Sequence, residues 1–154
     1  MQVELSRTTP QDPAAVVMHE ALYREADERG GLPPPIAVPA MPVGLTPPTG
    51  ALLIAHEGLE PVGIGGVRHL GTDVAEVKSM YVRPSHRGRG VARRLLEELE
   101  SIAREHGCLA VRLDSSRYLT EAVSLYRSAG YEEIADYNGN RSADIWFERP
   151  LTSG

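Results

Sequence analysis

Residue patterning along the 154-residue chain implies an α/β domain on a mixed, largely antiparallel sheet. Strand-like and helical segments follow one another in the order β–α–(loop)–β–β–β–α–β–α–β–β. The three central strands are joined by turns too short for a crossover, so they pair antiparallel. The apolar fraction, 42%, is that of a globular chain with a sizeable core. The length is that of a single domain, 1–154, interrupted by a proline-rich loop at 31–49.

Val3 and Leu5 alternate with polar residues and predict a short first strand. Asp12 then suits a helix N-cap with Pro13 at the first helical position. Ala15, Met18, Leu22 and Ala26 follow at spacings of three and four, and Gly30-Gly31 stops the helix. Seven of the twelve prolines fall in GLPPPIAVPAMPVGLTPPTG, which can neither continue a helix nor pair inside a sheet. A loop of this length is expected to be a lid or binding loop, with structural cover as the alternative.

From Ala51 the pattern turns to strands. ALLIAH (51–56) and PVGIGGVRHL (61–70) flank a turn at Glu57-Gly58, and VAEVKSMYV (74–82) ends at Pro84. Apolar residues at 91, 92, 95, 96, 99, 102 and 103 form one helical stripe closed by Gly107. LAVRL (109–113) reads as a strand and Glu121 to Ala129 as a helix. YEEIADY and ADIWFERPL read as a closing pair of strands around a turn at 138–140.

Composition narrows the function classes. Sixteen basic against 21 acidic residues leave a net charge of −5, which argues against general affinity for nucleic acid or anionic membranes. Cys108 alone cannot form an internal disulfide and fits a reducing, cytoplasmic setting. It reads as a buried core thiol rather than a nucleophile. The five histidines show no metal-ligand spacing. No apolar run is long enough to span a bilayer, and the first residues carry no basic-then-apolar leader.

The most informative stretch is Arg83-Pro-Ser-His-Arg-Gly-Arg-Gly-Val-Ala-Arg-Arg94, between a strand and a helix. Gly88 and Gly90 allow a sharp turn and close approach of the backbone to a ligand. The unpaired amides of the following helix turn then form an anion site, to which Arg87 and Arg89 can add charge-assisted bonds. Such a site suits a pyrophosphate. The Walker pattern GxxxxGK[ST] is absent, and a Rossmann fingerprint fails because Arg93 stands at the third glycine position. The arginine run leaves nucleic-acid binding as a weaker reading, since no aromatic residues interleave with it.

Val82 to Ala92 matches the Q/R-x-x-G-x-G/A motif of the GNAT superfamily of acyl-CoA-dependent N-acyltransferases, at Arg87, Gly90 and Ala92. Downstream, Glu121 to Tyr131 resembles that family's A-x-x-L-Y-x-x-x-G-F/Y signature, which ends its last helix. The similarity covers roughly residues 50 to 150. It implies a sheet whose fourth and fifth strands, here 74–82 and 109–113, splay apart to admit acetyl-CoA. The pantetheine would pair with the backbone of Met80, Tyr81 and Val82. The pyrophosphate would sit on the turn Arg87, Gly88, Arg89, Gly90 and the first helical residues Val91, Ala92 and Arg93.

The resemblance also implies catalytic roles. Tyr126 maps to the tyrosine that protonates the departing thiolate, and a phenol is protonated at neutral pH yet able to share its proton. Glu76 occupies the strand position that carries a general base in some members, with Lys78, Met80 and Val82 expected on its face by the period of two. Both residues also admit a structural role, Tyr126 as core packing and Glu76 as a partner of Lys78. Leu119 replaces the asparagine that often contacts the cofactor, leaving Ser115, Ser116 or Thr120 to compensate. The reaction expected is direct acetyl transfer from acetyl-CoA, without metal, to a primary amine, more in keeping with a small molecule than a peptide. A catalytically silent acyl-CoA-binding module is the alternative. A homodimer is left open. Ile36, Val38, Met41 and Val43 of the proline-rich loop are expected to face the acceptor.

Overall fold

A computed structural model describes residues 2–29, 38–71 and 73–151. Strands β1 (Val3–Thr8), β2 (Gly50–Glu57), β3 (Glu60–His69), β4 (Val74–Val82), β5 (Ala110–Ser115), β6 (Glu132–Ile134) and β7 (Ile145–Pro150) form one sheet. Its order is β1-β2-β3-β4-β5-β7-β6, and β4 with β5 is its parallel pair. Helices α1 (Pro13–Glu28), α2 (Val91–Glu105) and α3 (Thr120–Ser128) flank it. The expected architecture is present, element by element.

Asp12 starts α1 as anticipated: its side chain accepts from the Ala14 amide at 3.0 Å and from the Thr8 hydroxyl at 2.6 Å. Arg29 caps the other end through its own amide. Of the expected stop, Gly30 and Gly31 lie outside the described residues. Apart from the partly buried Ala92, the stripe of α2 is buried on one sheet face, where Leu95, Leu96, Leu99 and Ile102 meet Ala51, Leu53, Val67 and Val77. Each such side chain contributes about 1.5–3 kcal/mol. Gly65 lets α2 lie this close, since a Cβ there would stand 2.6 Å from the Met80 sulfur and 3.1 Å from Leu99. On the other face Ala15 and Met18 of α1 pack with Leu45, Leu52, Ile54 and Ile64.

Strand β4 is the element that shapes the site. It pairs with β5 only at Val74↔Ala110, Ala75↔Val111 and Glu76↔Arg112, after which the two strands part. A bulge lies where they separate. Lys78 faces Gly66 and Tyr81 faces Ile64, so Ser79 and Met80 share Gly65, and Ser79 takes φ 60°. A bulge of this kind bends its strand and breaks the alternation of side chains. The period-two expectation for Glu76 therefore needs correction. Glu76, Lys78 and Tyr81 share the α1 face, whereas Met80 and Val82 pack with Val77 on the α2 face.

The closing strands pair antiparallel as expected, but not around a tight turn. β6 stops at Ile134, and a loop of residues 135–144 precedes β7. Local side chains capture the amides that a ladder would use. Asp136 Oδ1 accepts from Asn138 and Gly139, Asn138 Oδ1 from Asn140, and Asn140 Oδ1 from Ser142.

Candidate functional site

Where β4 and β5 part, two cavities open. One, of about 330 Å³, runs along Met80, Tyr81 and Val82 to the glycine turn. Its far end is made by Gly88, Gly90 and the first turn of α2, Val91, Ala92 and Arg93. Gly88 and Gly90 adopt φ 77° and 79°, conformations that an L side chain rarely takes. Gly90 is the N-cap of α2; no side chain caps this end and no acidic residue occupies its first turn. The helix thus presents its first amides and the positive end of its dipole uncompensated, which suits an anion.

Arg87 borders this cavity but is already engaged. Its Nε donates to the Val82 carbonyl at 2.9 Å, and one terminal nitrogen lies 2.8 Å from each carboxylate oxygen of Glu25 on α1. Its guanidinium stands 5.6 Å from the Tyr81 ring centre. Arg89, expected beside it, does not line the cavity; it is half-exposed, 3.9 Å from Glu57. Beyond Arg87, Arg29 donates to Glu121 at 2.6 Å and to the Tyr118 carbonyl. The Glu121 carboxyl is held down to about 2, first by the hydrogen bond from Arg29. This network joins α1, the glycine turn and α3.

The second cavity, about 160 Å³, lies between α1 and the splayed strands. Tyr23 and Ala26 of α1, Pro42, Tyr118 and Asp114 contribute to its walls. Met80, Ala122 and Tyr126 line both cavities. Tyr126 is therefore at their junction. It is 5% exposed, with its ring centre 5.9 Å from that of Tyr131 and 6.0 Å from that of Phe147. Burial, and secondarily the charge of Asp114, pushes its phenol above the usual value, so it stays protonated at neutral pH.

Glu76 lines neither cavity. At 1% exposure, its Oε1 receives Arg68 at 3.0 Å and its Oε2 receives the Tyr137 hydroxyl at 2.6 Å and the Asn138 amide at 3.1 Å. The carboxylate that does reach the second cavity is Asp114. Its Oδ2 accepts from Lys78 at 3.0 Å and from Asn138 at 2.7 Å, while no partner among the described residues is placed on Oδ1. Sequence reasoning missed Asp114 because it ended the strand at 113; the alternation of Arg112 and Asp114 was the available signal. Leu119 borders this second cavity, as do Ser115 and Ser116.

The proline-rich segment enters differently from expectation. Ile36 lies outside the described residues, Val38 and Val43 are exposed, and Met41 packs toward α1. Pro42 instead lines the cavity. The reason is that the segment is held by its carbonyls: His19 Nε2 donates to Pro39 at 2.7 Å and Arg68 donates to Val43 at 3.0 Å.

The model of the acetyltransferase (GNAT) family matches residues 17–131. The chain belongs to the GNAT acetyltransferase family. GNAT enzymes use acetyl-CoA, and the chain is by this membership an N-acetyltransferase. It is 32% identical over 111 residues to the IAA acetyltransferase of Azospirillum brasilense, an alignment covering 70% of this chain and 72% of the relative. A GNAT-family acetyltransferase of Staphylococcus aureus superimposes with a TM-score of 0.81 at 15% identity, covering 98% of this chain and all of the other. The PaiA N-acetyltransferase of Thermoplasma acidophilum, solved in complex with coenzyme A, gives a TM-score of 0.69 at 17% identity, with 98% and 100% covered. These two structures share the GNAT fold with this chain.

Proposed function

We propose that the enzyme transfers an acetyl group directly from acetyl-CoA to a small primary amine held in the cavity at Asp114. Tyr126 carries the reading: one protonated phenol borders both the cofactor-side and the acceptor-side cavity. Acetyl-CoA supplies the activated acyl group as co-substrate. The amides of Val91, Ala92 and Arg93 and the glycine turn would hold its pyrophosphate, and the backbone of Met80 to Val82 would lie along its pantetheine.

The Asp114 carboxylate draws the acceptor's ammonium into a cavity whose size fits a compact molecule rather than a folded protein surface. Asp114 takes one proton from the ammonium and frees the lone pair. As the nitrogen bonds to the acetyl carbon and the carbon–sulfur bond breaks, Tyr126 gives its proton to the thiolate and recovers the second proton of the nitrogen, and Asp114 releases its own to solvent. A backbone N–H of strand β4 beside Met80 would meet the carbonyl oxygen. Glu76 acts on this reading as the knot that fixes the sheet and the 135–144 loop, not as the base.

Thiol release from acetyl-CoA, measured against a panel of small amines, peptides and neutral alcohols of matched shape, tests the proposal. Turnover with small primary amines, and none with the alcohols, is the expected result. Binding of coenzyme A with no thiol released by any amine would instead identify a silent acyl-CoA-binding module.

A further inference from the structure

Asp114 shares the second cavity with a cation. Lys78 of β4 lines it too, and its Nζ lies 3.0 Å from Asp114 Oδ2. These two are the only charged residues among the cavity's described walls. Both side chains keep some access to solvent, 16% for Lys78 and 11% for Asp114. Glu76 Oε2, 4.0 Å from the Lys78 Nζ, is beyond hydrogen-bond reach. An ammonium carries three N–H groups, and among the described residues only Asp114 receives one of them. Arg68 is engaged with Glu76. The charges of Glu76 and Asp114 are therefore balanced by Arg68 and Lys78 before any acceptor arrives. A simple ammonium approaching Asp114 meets the Lys78 ammonium on the same carboxylate, two like charges in a sheltered site. A carboxylate on the acceptor, beside its nitrogen, turns that repulsion into attraction. Each charge then faces an opposite one, and the site gains no net charge.

We propose that Lys78 is a specificity-determining residue and that the acceptor is an α-amino acid, with its ammonium on Asp114 and its carboxylate on Lys78. The two charges of the protein are adjacent, so those of the acceptor must be adjacent as well. They are so when a single carbon separates amine from carboxylate. The remaining walls suit an apolar or aromatic side chain: Leu22, Tyr23 and Ala26 of α1, with Pro42, Tyr118 and Leu119.

The inference rests on the acceptor site proposed above. Thiol release from acetyl-CoA is measured with the apolar and aromatic L-amino acids. Each is compared with its primary amide, which keeps the shape without the negative charge, and with the amine left when the carboxylate is removed. Wild-type KM is expected to be about ten-fold or more lower for the amino acid than for its amide or amine, the scale of one charge-assisted hydrogen bond. In Lys78→Gln, whose amide can still donate to Asp114, the amino-acid KM rises about ten-fold and the amine KM falls, so the preference disappears. A rise shared equally by amino acid and amine would mean that Lys78 only holds Asp114, and overturns the proposal. Turnover of the amines with no preference for the amino acids also overturns it, while leaving the acetyl transfer proposed above standing. If neither amines nor amino acids release thiol, both fall. Should Lys78→Gln not fold, the wild-type comparison of acid with amide decides: a lower KM for the acid supports the proposal, and equal values overturn it.

Discussion

Tyr126, the half-buried Asp114 and the buried Glu76 take separate roles. Tyr126→Phe keeps the ring that packs against Tyr131 and Phe147 and removes only the proton. Turnover is expected to fall about a hundred-fold with coenzyme A affinity within a few-fold, as steady-state kinetics and ligand titration would show. Asp114→Asn should raise the acceptor KM about ten-fold or more and lower kcat while leaving the acetyl-CoA KM alone, because the charge contact to one substrate and the acceptor of its proton are lost together. Glu76→Gln should instead lower unfolding stability by about 3 kcal/mol, the scale of breaking a buried ion pair from one side. Chemical denaturation of both variants separates the two roles. The sequence made Tyr126 legible through its motif. It could not distinguish Glu76 from Asp114, because that depends on which carboxylate finds two cations and two donors across β3, β4 and the 135–144 loop.

At the scale of elements, most of what the periodicity implied is present. The stripe of α2, the N-cap at Asp12 and the glycine turn depend on contacts close in sequence, which a single sequence carries. The bulge at Ser79 does not, because it arises from the match between β3 and β4, and it moved Met80 and Val82 to the face opposite Glu76. The glycine turn offers the sharpest test. Gly90→Glu puts a strained residue at φ 79° and a negative charge at the uncapped end of α2. Coenzyme A binding should be lost in a protein that still melts cooperatively, with the fold weakened by about 1 kcal/mol for the left-handed residue. Unchanged affinity would remove the anion site from this turn.

Across the whole molecule, α1, the glycine turn and α3 are joined by Glu25, Arg29, Arg87 and Glu121, of which the first and last are 96 positions apart in sequence. No local pattern announces such a network. Its pH dependence has a definite sign. Glu121 sits at about 2 in the fold against an ordinary 4.5, so its contribution is complete above about pH 4.5 and disappears as pH falls toward about 2. Glu121→Gln should therefore be less stable than wild type at neutral pH, with the gap closing on acidification through that window. Urea melts at a series of pH values would follow it. The side chain is half-exposed, so added salt should also narrow the gap.

The shared walls at Met80, Ala122 and Tyr126 have a consequence for inhibition. A single molecule in which an acceptor amine is joined to coenzyme A through a short acyl bridge should span the two cavities past Met80, Ala122 and Tyr126. It loses its freedom of tumbling once instead of twice, so its two halves reinforce each other through effective concentration. Such a bisubstrate adduct should bind far more tightly than coenzyme A, and the acceptor half that gives the greatest gain would reveal the natural amine by affinity alone, before any turnover is seen.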